Sequence, residues 1–201
     1  MRELIQEIGP CTLTPRVRRS PFESLARAIA YQQLHDKAAE SILGRFVALF
    51  PGRGFPHPAE VLVANVRAMR RAGFSRAKVA ALRDLATKAL EGTVPTTRVI
   101  KQLDDEAIIK RLIEVRGVGR WTVEMLLIFQ LGRPDVLPVD DLGFVEGVRE
   151  AYSLEARPTP KEMRERGEMW RPYRTIATWY MWGVRRLALG IGREKTRIVS
   201  L

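Results

Sequence analysis

Apolar residues recur along most of this chain at the three-and-four spacing of a helix with one buried face, and the alternation of a strand is nearly absent. Phe22, Leu25, Ala26, Ile29 and Ala30 form one such stripe. Ile42, Leu43, Phe46, Val47 and Phe50 resume the period after the break Gln32-Gln33-Leu34-His35-Asp36, and Val79, Leu82, Leu85, Ala86 and Leu90 make a third stripe. Ser20-Pro21-Phe22-Glu23 supplies a capping hydroxyl, a proline at the first helical position and a Glu three residues after the cap, so a helix starts there. Thr159-Pro160-Lys161-Glu162 repeats the device, and Ser75 opens the third stripe. Gly73, Gly92 and Gly132 follow periodic segments where a helix end takes a positive φ, and Pro51 to Pro58 reads as a loop. With no repeat of fixed period, the pattern predicts an all-α fold of roughly eight to eleven short helices.

Charge adds a partner to this picture. The 201 residues hold 34 Lys and Arg against 23 Asp and Glu, a net charge of +11 on a chain that is 46% hydrophobic. A folded body with that surplus points to an anionic partner, nucleic acid first and a membrane surface second. The single cysteine, Cys11, makes no intramolecular disulfide and no cluster of metal ligands, and the two histidines, His35 and His57, lack metalloprotease or triad spacing. The longest apolar run, Met125 to Leu131, is broken by Gln130 and is too short to cross a bilayer. The N-terminal stretch MRELIQEIGP has no apolar core of a signal peptide, so a cytoplasmic location is expected.

The most informative segment is Leu112 to Glu124, LIEVRGVGRWTVE. An apolar helix ends at Gly117-Val118-Gly119, and a new helix begins at once with Arg120. Two glycines let the backbone approach a bulky anion, and the open amides of the new helix, with its positive dipole, suit a phosphate. An ordinary glycine-containing turn between two helices has the same look when it stands alone.

It does not stand alone. The hairpin followed by Leu131-Gly132-Arg133-Pro134-Asp135-Val136-Leu137-Pro138-Val139-Asp140-Asp141 resembles the helix-hairpin-helix (HhH-GPD) superfamily of DNA glycosylases. Tyr31-Gln32-Gln33-Leu34-His35-Asp36-Lys37-Ala38-Ala39 is similar to the QQLHxKAA segment of its alkylation-repair branch, the 3-methyladenine DNA glycosylases of type II. Gly73-Phe74-Ser75-Arg76-Ala77-Lys78 matches the branch's GxSxxK turn and Trp170-Arg171-Pro172-Tyr173-Arg174 its WRPYR motif.

The resemblance implies an activity and a set of roles. Excision of a base breaks an N-glycosidic bond through a transition state with positive charge on the sugar, which a nearby carboxylate stabilises. The family's Asp lies twenty residues after the hairpin position held here by Trp121, which selects Asp141 as catalytic and leaves Asp140 to cap the following helix. Without the resemblance both read as simple caps. Relatives that also cut the strand carry a lysine where Trp121 stands, so no lyase activity is expected. Trp121, Met125 and Trp182 map to the pocket for the extruded base, where an electron-rich ring attracts a cationic alkylated base; core packing is the other reading, above all for Met125. Leu34 maps to the wedge that fills the gap left by the base, with His35 beside it in the minor groove, although a lone Leu is more often core.

Gly117, Val118, Gly119 and Arg120 would hold the DNA backbone, with Lys78, Arg76 and Arg174 as further phosphate candidates or as solvated charges. Relatives bind a monovalent cation through hairpin carbonyls that map to Ile113, Val115 and Val118, so Na+ or K+ is expected there and no other cofactor. The implied architecture has two helical lobes with the active site in the cleft between them: residues 21–134 form a barrel ending in the hairpin, and 1–20 with 135–201 form the second lobe. The implied function is a monofunctional glycosylase that releases alkylated bases such as 3-methyladenine and 7-methylguanine from DNA, acting as a monomer and as a catalytic core without an accessory domain. The alternatives are a non-catalytic module that binds damaged DNA, and an oxidised-purine glycosylase of the same superfamily.

Overall fold

The structure, a computed structural model, describes residues 1–15, 19–52 and 54–191. All regular structure among these residues is helical: α1 (Arg2–Ile8), α2 (Pro21–Tyr31), α3 (Asp36–Val47), α4 (Pro58–Val63), α5 (Val66–Arg71), α6 (Arg76–Leu90), α7 (Thr97–Ile100), α8 (Asp105–Leu112), α9 (Arg120–Leu126), α10 (Leu142–Ala151), α11 (Pro160–Gly167) and α12 (Arg174–Ala188). A π-helical turn, Leu127–Leu131, prolongs α9, and a 3-10 turn, Glu168–Trp170, follows α11. The all-α expectation holds, with twelve α-helices against the eleven at the top of the expected range. The excess comes from α4, α5 and α7, of six, six and four residues. Each is too short to show a hydrophobic period, and each is started by a cap, His57, Asn65 and Thr96 respectively.

The predicted starts are present. Ser20 Oγ accepts from the Glu23 amide at 3.1 Å and Ser75 Oγ from the Lys78 amide at 3.2 Å. At Thr159 the box is reciprocal, because the Glu162 carboxylate accepts the Thr159 amide. At Ser20 the Glu23 carboxylate turns instead to Arg27, 2.8 Å away. Gly73, Gly92 and Gly132 have φ of 115°, 84° and 65°. Leu90 departs from its stripe: at the last turn of α6 it is exposed.

The described residues divide into two compact units, one of residues 19–126 and one of 1–15 with 127–191. In the first, Leu25, Ile29, Phe46, Met69, Leu82 and Leu85 are fully buried. The Phe46 ring is met edge-on by Phe50 and Phe74, with centroids at 5.2 and 5.3 Å. In the second, α10 and α12 cross around Val139, Phe144, Val145, Val148, Met163, Trp170, Ala177 and Met181. Gly147 is required at that crossing: a Cβ there would overlap the Met181 carbonyl, so any side chain drives the helices apart.

Residues 127–134 group with the termini and not with 21–126, which moves the expected boundary back to Leu126. The reasons are local contacts. Phe129 stacks on Trp182 with centroids 5.6 Å apart, Thr175 Oγ1 donates to the Arg133 carbonyl at 2.7 Å, and Gly132 lies against Pro15. Among the described residues no helix is long and apolar enough to cross a membrane.

Candidate active site

Asp141 is the N-cap of α10, in extended geometry at φ −78° and ψ 114°. Its Oδ1 accepts from the Phe144 amide at 2.7 Å and from the Trp182 indole Nε1 at 2.7 Å. This corrects the assignment of the cap to Asp140, which is exposed. The chain turns at Pro138, whose carbonyl accepts the Asp141 amide at 2.9 Å, so it is Asp141 that arrives where the orphan amides of α10 begin. Capping and candidate chemistry therefore fall on one residue. The carboxylate is half-buried, held by a helix end on one side and an indole on the other. The indole is itself fixed by the near-parallel ring of Phe129, at an interplanar angle of 16°.

The segment leading to Asp141 is tied down by the WRPYR stretch. Arg174 Nε and Nη2 reach the two carboxylate oxygens of Asp135 at 2.7 and 2.9 Å, and Arg171 adds a bond at 3.0 Å. Burial pushes the Asp135 carboxyl up, but the bonds and charge of Arg174 outweigh it, so Asp135 titrates below the usual carboxylate range. Thr175 continues the clamp, its Oγ1 accepting from the Val136 amide at 3.0 Å. Arg174 is thus a structural partner of Asp135, not a hand held out to phosphate: a bidentate pair with a carboxylate this close leaves the guanidinium engaged.

The hairpin lies in the unit of residues 19–126. Gly117 has φ +78°, a left-handed conformation that a side chain would strain. The Arg116 amide donates to Asp84 Oδ2 at 2.7 Å, and Gln32 Nε2 donates to the Gly117 carbonyl at 2.8 Å. Val118 is buried, and its amide bonds the Val115 carbonyl at 3.0 Å. The Arg120 guanidinium is held by both oxygens of Glu106 and by the buried Glu124 at 3.0 Å, so it is not a loose phosphate-seeking charge. Lys78 is likewise committed, its Nζ donating to the carbonyls of Ala30 and Gln32 at 2.8 and 2.7 Å. Burial lowers the Lys78 pKa. Of the four expected phosphate-seeking side chains, only Arg76 stands exposed with no such commitment in the structure.

Trp121 is 37% exposed on α9 while Met125, one turn on, is 3% exposed. Leu34 is 39% exposed and His35 is exposed at the N-cap of α3, where it makes no side-chain cap. The structure thus brings Asp141 and Trp182 together and adds three residues that the sequence reading missed: Phe129, Asp135 and Thr175. The period-breaking GRPD stretch was the available signal for Asp135. Phe129 carried none, since it reads as one more apolar residue in the run from Met125. No group of three or more His, Cys, Asp or Glu that could hold a metal occurs among the described residues.

Residues 26–172 match the HhH-GPD superfamily of base excision DNA repair proteins, and the chain belongs to that superfamily. DNA-3-methyladenine glycosylase 1 of Schizosaccharomyces pombe is 42% identical over 171 residues, which cover 85% of this chain and 75% of that one. An alkylbase DNA glycosidase-like protein of the same yeast, mag2, is 35% identical over 185 residues, 92% of this chain and 87% of its own. A solved structure of the yeast 3-methyladenine DNA glycosylase Mag1 in complex with abasic DNA aligns with a TM-score of 0.77 at 39% identity, over 90% of this chain and 88% of that one. A DNA-3-methyladenine glycosidase of Bacillus halodurans aligns with a TM-score of 0.85 at 30% identity, over 96% and 87%.

Proposed function

We propose that this chain is a monofunctional DNA glycosylase of base excision repair that hydrolyses the N-glycosidic bond of alkylated bases. The observation that carries the reading is Asp141, a half-buried carboxylate with Oδ1 fixed at 2.7 Å by both the Phe144 amide and the Trp182 indole. Two donors on one oxygen set the orientation of the carboxylate before DNA arrives, so no reorganisation is needed as positive charge grows on the sugar. The same group orients the water that completes hydrolysis. Relatives bearing the 3-methyladenine glycosylase name support the substrate class.

Trp121 stands where strand-cleaving relatives carry their nucleophilic lysine, and an indole forms no Schiff base. The product is therefore an abasic site in an intact strand. Trp121 and Met125 would face the extruded base, Trp182 would hold Asp141, and Leu34 with His35 would enter the minor groove. The backbone of Gly117 to Arg120 would face a phosphate, Arg120 contributing its main chain while its guanidinium holds Glu106 and Glu124. The chemistry needs no cofactor. A monovalent cation on the carbonyls of Ile113, Val115 and Val118 would sit in the stretch that follows the end of α8 at Leu112.

The test is release of methylated bases from alkylated DNA by the protein and by Asp141→Asn. Equal release by both removes the mechanism. Tighter binding of Asp141→Asn to DNA, with no base released by either protein, favours the non-catalytic damage-binding module.

A further inference from the structure

The turn that carries Leu34 is built in a costly way. The Leu34 amide donates to the Tyr31 carbonyl at 3.1 Å, Gln32 sits at φ −49° and ψ 127°, and Gln33 at φ +57°. These are the angles of a type II turn, whose third position normally takes Gly or Asn. A Gln there is strained and stays only if its surroundings hold it. Two bonds do so. Lys78 Nζ, from α6, takes the Gln32 carbonyl at 2.7 Å together with the Ala30 carbonyl, and Gln32 Nε2 reaches the Gly117 carbonyl of the hairpin at 2.8 Å. The hairpin is tied to the same helix, because Asp84 of α6 accepts the Arg116 amide at 2.7 Å. Turn, hairpin and α6 therefore close a ring of hydrogen bonds, with Gln32 as the member that touches both the turn and the hairpin.

We propose that Gln32 is a positioning residue: by bonding the Gly117 carbonyl it transmits the seat of the hairpin on the DNA backbone to the Leu34 turn, and so fixes the depth at which Leu34 enters the duplex. The inference rests on the function proposed above. It assigns to Gln32 and Lys78 a task on base extrusion, separate from the bond-breaking step at Asp141. Leu34 is held outward at 39% exposure, and a wedge on a strained turn with no second support would relax away from the stack it has to open.

The test uses the full chain and Gln32→Met, which keeps the length of the side chain and removes its donor. Single-turnover release of 7-methylguanine is measured in duplexes that place it opposite cytosine or opposite adenine. A stable pair demands the wedge and a mismatch demands it less. The expected result is that the mismatch-to-pair rate ratio rises about tenfold in Gln32→Met and in Leu34→Ala, and rises no further in the double variant, because both act on one step. A purely structural role for Gln32 would lower the melting temperature and leave the ratio alone. An unchanged ratio, or additive changes in the double variant, overturns the proposal. Lys78→Met cuts the other support of the turn and must raise the same ratio, which covers the case in which Gln32→Met folds poorly. If the unaltered chain releases no methylated base, it is the glycosylase reading that fails. The positioning role is then judged on 2-aminopurine fluorescence in duplex DNA, where Gln32→Met must lower the extruded signal.

Discussion

Replacing Asp141 separates two roles that meet on one oxygen. Asp141→Asn keeps a side-chain oxygen able to cap α10 and to accept the Trp182 indole, since Asn ranks with Asp as a cap. Asp141→Ala removes both acceptors. Loss of the cap costs about 1 kcal/mol, and an indole N–H left without its partner costs about another 1–2 kcal/mol, so the Ala variant should lose about 2–3 kcal/mol. For a chain of this size that is a fall in melting temperature of roughly 4–12 °C. The Asn variant should stay within about 1 kcal/mol of the parent and yet lose base release by at least about 100-fold, because the charge that faces the sugar is gone. Calorimetry together with a released-base assay on methylated DNA measures both quantities. The reasoning is refuted if Asn is as destabilising as Ala, or if Asn retains release within about tenfold.

Other expectations follow from the same contacts. Gly147→Ala should cost about 3 kcal/mol or more, because its methyl overlaps the Met181 carbonyl; a denaturation midpoint equal to the parent would contradict the crossing described. Asp84, Glu106, Asp135 and Glu146 all titrate below their ordinary values of 3.8 for Asp and 4.5 for Glu. Since the unfolded chain takes up these protons first as pH falls, their stabilisation is complete above the ordinary values and is lost as pH drops through the lower folded ones. Urea midpoints that do not fall between about pH 5 and about pH 3 would exclude this. Arg76→Ala should flatten the dependence of DNA affinity on log salt by about 1, whereas Arg174→Ala should lower the melting temperature and leave that slope alone. Titrations at several salt concentrations decide between them.

The sequence showed helices at Ser20 and Ser75, where an apolar stripe repeats behind a capping hydroxyl, and at Thr159, where the capping pattern alone marks the start. It could not show α5 or α7, which hold too few residues for a period and depend on their caps and on packing around them. The site was half legible. Asp141 and Trp182 came from the spacing of a resemblance, and nothing in one chain reveals that an indole proton and a helix amide share one carboxylate oxygen. The basic residues were the least legible. Arg120, Lys78 and Arg174 look alike as letters, and only a folded neighbourhood shows that one holds two glutamates, one closes a turn and one clamps Asp135. Net charge measures how much cation is present; which cations remain available depends on the acids and carbonyls that folding brings beside them.

The division of the chain bears on the order in which it is made. The unit that carries the hairpin and Leu34 is encoded without interruption between residues 19 and 126, whereas the unit that carries Asp141 draws α1 from the start of the chain and α12 from beyond residue 173. On a ribosome the first can close once α9 has emerged. The second must keep α1 waiting, with Ile8 uncovered, until α12 arrives with Gly183 to receive it. The surface expected to grip DNA is thus finished before the carboxylate expected to cut from it is in place, and a nascent chain stalled in between would hold the grip without the chemistry.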